Sequence, residues 1–129
     1  MNKAKFEDVI RDKGILVYTS VGDSMYPLIH EGDLLVIRAV TEPLKKHDIP
    51  LFKRDNGQYV LHRIIQVRKN DYLICGDNRY AVEAGITDRH MIGVLTEIIR
   101  NGKTISVRDR RYLFYRHTLF IRRQLKRFF

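Results

Sequence analysis

From residue 15 to residue 107 the chain is written in short apolar runs separated by polar turns. Seven runs, at 15–19, 33–40, 49–53, 59–67, 72–75, 91–100 and 104–107, are rich in Val, Ile, Leu and Tyr and read as strands. Turn residues stand between them: Glu31-Gly32-Asp33, Asp55-Asn56-Gly57, Lys69-Asn70-Asp71 and Asn101-Gly102. Asn56-Gly57 and Asn101-Gly102 are hairpin signals, because a two-residue primed turn needs positive φ. Ahead of the strands, Phe6, Val9 and Ile10 recur at helical spacing, which predicts a helix over 3–13 stopped by Gly14. The expected fold class is mainly β: a coiled, barrel-like antiparallel sheet with one short N-terminal helix.

The period changes again at the C-terminal end. Leu113, Phe114, His117, Phe120, Ile121, Leu125 and Phe128 form one helical stripe, with arginines and Lys126 largely off it. The expectation is one domain over 1–109 and a basic amphipathic helix over 110–129, suited to a membrane surface or a partner protein.

Charge sharpens this division. The net charge is +9 over 129 residues, and residues 110–129 hold seven basic side chains and no acidic one, leaving +2 for residues 1–109. A body so nearly neutral disfavours nucleic acid as the main partner. The single cysteine, Cys75, excludes an internal disulfide and a cysteine zinc site. The five histidines show no ligand spacing and no phosphate-cradling loop is present, so neither metal nor cofactor is expected. No run approaches the roughly 20 apolar residues of a spanning helix. A cytoplasmic chain, peripheral to the membrane at most, is the expectation.

Three polar segments interrupt the strands. In Val21-Gly22-Asp23-Ser24-Met25-Tyr26-Pro27 a serine sits on a constrained turn, where backbone N–H groups can face a developing oxyanion. His62 lies within Tyr59-Val60-Leu61-His62-Arg63-Ile64, and a neutral imidazole could take the serine proton. Cys75-Gly76-Asp77-Asn78 offers a carboxylate that could orient that histidine, and Glu83 and Asp88 could do the same. Each has a plain alternative as an ordinary turn or strand residue.

Taken in order, these segments resemble the signal peptidase I and LexA-type serine peptidases over about residues 15–98. Gly22-Asp23-Ser24-Met25-Tyr26-Pro27 with Glu31-Gly32-Asp33 is similar to the nucleophile box, Leu61-His62-Arg63-Ile64-Ile65 to the base box, and Gly76-Asp77-Asn78 to the following turn. Met91-Ile92-Gly93-Val94 resembles the closing strand, and His47 stands where the family usually has glycine. Bacterial signal peptidases and LexA-like proteins use lysine as base. His62 resembles instead the endoplasmic-reticulum and archaeal signal peptidases, but without their transmembrane anchor. The resemblance implies a serine endopeptidase with Ser24 as nucleophile, His62 as general base and Asp77 as the acid, acting on an extended or leader-like peptide. Two other readings stand beside it. One is an inactive module of the same fold, binding membrane, RNA or a partner through its basic end. The other is a LexA-type self-cleaving protein, weakened by the short segment before the first strand, which leaves no room for a DNA-binding domain.

Overall fold

The computed structural model describes residues 5–107. The proposed amphipathic helix over 110–129 therefore lies outside the described residues.

The predicted helix forms as α1 (Phe6–Lys13), ended by Gly14 at φ 74°, whose N–H bonds the Ile10 carbonyl. Nine strands follow: β1 (Ile15–Thr19), β2 (Leu34–Arg38), β3 (Pro50–Lys53), β4 (Tyr59–Leu61), β5 (Arg63–Val67), β6 (Tyr72–Cys75), β7 (Glu83–Ile86), β8 (Met91–Arg100) and β9 (Lys103–Ser106). They form two antiparallel sheets. The larger has the order β1-β2-β8-β3-β4 with β9 on β8, and the smaller is β5-β6-β7. This is the curled, mainly β architecture that the apolar pattern predicts.

Three departures from the sequence expectation matter. The run over 59–67 is not one strand, because it breaks at His62 and its halves join different sheets. β7 was not expected, since Glu83-Ala84-Gly85-Ile86 has little strand propensity; it forms because β6 offers it an edge. Asn101-Gly102 makes the two-residue turn, both residues at positive φ. Asn56-Gly57 does not: Gly57 alone has positive φ, and an Arg54–Gln58 backbone bond closes a longer loop.

Burial explains why the two sheets hold together. Alternation along β3 sends Leu51 into one apolar cluster, with Ile10, Met25, Leu35, Ile37 and Ile98, and Phe52 into another, with Val60, Ile64, Tyr72, Ile74 and Ile86. Both faces of the larger sheet are thus covered near β3 and β4. His62 stands at the joint between the sheets.

Candidate active site

Ser24 sits on a loop whose neck is tied shut. The Ser20 N–H bonds the Asp33 carbonyl, the Gly32 N–H bonds the Ser20 carbonyl, and Ser20 Oγ donates to the His30 carbonyl at 2.7 Å. Buried Asp33 accepts from the His30 N–H at 2.8 Å and from Arg100, whose Nε and Nη2 lie at 2.9 and 2.6 Å. Burial works against the Asp33 charge, but the Arg100 and His30 bonds outweigh it and hold the carboxyl below its ordinary range. Arg100 also donates to the Leu28 carbonyl. Glu31-Gly32-Asp33 is therefore more than a turn. It anchors the loop to the end of β8.

Within the loop, Met25 is buried in the core while Ser24, one residue earlier, is half-buried and lines a cleft. A second loop clamps it. The Asn78 N–H bonds the Ser24 carbonyl at 2.8 Å, Asn78 Nδ2 donates to the Asp23 carbonyl, and Arg79 pairs with the Asp23 carboxylate at 2.7 Å. Asp23 faces solvent, as its position beside the serine requires: an inward carboxylate would repel an oxyanion.

His62 reaches the same cleft from the joint between β4 and β5. Gly76 fixes how near it comes. A Cβ on Gly76 would stand 2.8 Å from the Ser24 carbonyl oxygen and 3.1 Å from His62 Nε2. Only a bare backbone lets the serine loop and the imidazole close on each other there. Burial lowers the His62 pKa below 6.5, and the Arg54 and Arg79 cations lower it further against the opposing pull of Glu83 and Asp77. The balance favours the neutral ring over the imidazolium.

The three candidate acids are engaged elsewhere. Asp77 is buried, and both its oxygens accept from Arg63, with Nε and Nη2 each at 2.7 Å. Glu83 forms a two-bond pair with Arg54, both bonds at 2.8 Å, and Asp88 accepts from the Tyr72 hydroxyl. Each of the three is thus held by a donor other than His62, and Asp77 and Glu83 act on the ring through space, favouring its charged form. For Asp77 the physical reason is Arg63. A guanidinium with 1% of its side chain exposed demands a carboxylate, and Asp77 supplies it across the β5–β6 pair. From the sequence, Arg63 had no role of its own. Two consecutive polar residues in an aliphatic run were the available signal that one of them had to be buried and paired.

Arg63 Nη1 also donates to the His47 carbonyl, and the His47 N–H bonds the Ile64 carbonyl. His47 has φ 81°, a left-handed conformation that explains why glycine suits this position.

A curled antiparallel sheet with one short N-terminal helix, and a serine turn and a histidine lining one cleft, has the architecture of the LexA-like fold. The chain belongs to the Peptidase S24-like family, whose model matches residues 3–99. No curated protein matches it. Among the described residues no cluster of acidic, His or Cys side chains could hold a metal ion, and no helix is long and apolar enough to cross a membrane.

Proposed function

We propose that the protein is a serine endopeptidase of the Ser–His type, cutting an extended peptide through an acyl-enzyme on Ser24. The close approach of the Ser24 loop and His62 over Gly76 carries this reading. His62 takes the Ser24 Oγ proton as the oxygen attacks the scissile carbonyl. The tetrahedral oxyanion is met by backbone N–H groups of the serine turn, that of Ser24 among them, because Gly22 has no side-chain donor to offer. The C–N bond breaks as His62 returns the proton to the leaving amine. A water, deprotonated by the same ring, then hydrolyses the ester. Asp77 serves as a positioning residue: through Arg63 it fixes the backbone directly after His62. The substrate is a leader-like segment, and residues 110–129 bring the enzyme to an anionic membrane surface.

An active-site acylator such as a fluorophosphonate tests the first step. The expected result is a stoichiometric mass gain on Ser24 that is absent from Ser24→Ala. A wild type that neither labels nor cleaves a peptide library makes the chain a binding module instead, and a shortened band from the protein incubated alone makes it self-cleaving.

Gly76→Ala places a methyl group against a backbone oxygen and the catalytic imidazole. Displacing the pair by a fraction of an ångström is expected to lower the acylation rate on the order of 10²-fold. An unchanged circular dichroism spectrum would show that the fold survives.

The pH profile follows from the His62 environment. A base whose folded pKa lies below 6.5 stays unprotonated into mildly acidic solution, so the acid limb of kcat/KM should fall below pH 6.5. Arg54→Gln removes a depressing cation and releases Glu83 from its pair. Both changes favour imidazolium, and the acid limb should move upward.

A further inference from the structure

The cleft extends well away from Ser24 and His62. Its walls are two sheet edges, residues 18–22 at the end of β1 and Tyr59–Leu61 of β4, and its far end is closed by Phe6 of α1. Its volume is about 550 Å³. Three half-buried rings meet there. Phe6 stacks on Tyr18 with centroids 5.0 Å apart and leans on Tyr59 at 4.8 Å.

This end wall is fastened. Glu7, next to Phe6, accepts a hydrogen bond from the Tyr59 hydroxyl and pairs with Lys53 at 2.9 Å. The Lys53 ammonium lies 5.2 Å from the centre of the Tyr59 ring. Burial opposes the Glu7 charge, yet the Tyr59 and Lys53 bonds lower its pKa to about 2, so the attachment persists throughout the neutral range. The helix is thus locked to the β3–β4 hairpin, and its aromatic residue is part of the cleft.

The reacting groups mark the other end. Gly76 and Arg79 stand against His62 and the Ser24 carbonyl, so the groove opens from the reacting groups towards α1. At about 3.3 Å per extended residue, the three steps from His62 back to Tyr59 span about 10 Å.

We propose that α1 is part of the substrate site, that the acyl half of the peptide lies along this groove, and that Phe6, Tyr18 and Tyr59 select a bulky apolar or aromatic side chain about three residues upstream of the cut. This rests on the peptidase reading and adds the class of peptide the enzyme takes. Wild type, Phe6→Ala and Phe6→Leu would be digested against a randomised peptide library, with cut sites read by mass spectrometry. Phe, Tyr, Leu and Ile should be enriched at that position by wild type. The enrichment should vanish in Phe6→Ala and lose its aromatic part in Phe6→Leu, with KM for a selected peptide raised about tenfold and kcat little changed. Cleavage without enrichment, or enrichment unchanged in both variants, overturns the proposal while leaving the peptidase reading intact.

A second measurement needs no turnover. Ser24→Ala would be titrated by NMR with acetyl-Phe-Ala-Ala-amide and with its Ser-Ala-Ala counterpart. Shifts at Phe6, Tyr18 and Tyr59 with the first peptide alone support the proposal; equal shifts, or none, overturn it. Acylation of Ser24 judges the underlying reading separately.

Discussion

Ser24→Ala is expected to lower peptide cleavage by ~10⁴-fold or more, with an unchanged fold, and His62→Ala is expected to cost about as much. The serine turn is held by groups other than its own hydroxyl: Met25 in the core, the Asn78 N–H on the Ser24 carbonyl, and the Ser20–Asp33 neck. Deleting Oγ therefore removes the nucleophile and little else. His62 is likewise placed by its strand neighbours and by Gly76. Because the two act as a unit, the double variant should be no slower than the worse single one. Cleavage of a peptide library followed by mass spectrometry provides the measurement. A Ser24→Ala enzyme retaining a tenth of wild-type activity would rule out the acyl-enzyme.

The largest effect on stability belongs to Arg63 and Asp77. With each side chain 1% exposed and two bonds of 2.7 Å between them, neither partner has water to fall back on. Asp77→Asn strands a buried guanidinium and should cost about 3–5 kcal/mol, roughly 20 °C in melting temperature. Replacing both, as Arg63→Met with Asp77→Leu, removes the desolvation cost together with the attraction and should recover most of that loss. Thermal melts of the single and double variants separate the two terms. If the refolded double variant also shows a lower kcat at unchanged KM, Asp77 acts on catalysis by positioning His62. Unaltered kinetics would assign the pair to the fold alone.

Much of this was legible in the residues. The apolar runs placed α1, β1, β6 and β8 and most of the remaining strands, since strand identity here is a local matter of β-branched side chains and turn chemistry. The Ser24 and His62 segments stood out because polar residues broke those runs. The partners of the candidate acids did not follow from spacing. Asp77, Glu83 and Asp88 all lie within reach in sequence, and each found a donor on a different element: Arg63 on β5, Arg54 beyond β3, and Tyr72 on β6.

The sequence by itself determined the strand-rich fold class, the turn at Ser24 and the presence of a histidine able to act as base. Only the tertiary structure decided that the 59–67 run breaks at His62, that Arg63 claims Asp77, and that Phe6 closes the cleft. Local propensity acts over a few residues and is written in them. Which charge meets which carboxylate depends on how two sheets fold against each other. A buried ion takes the partner that packing brings to it, whatever the distance between them along the chain.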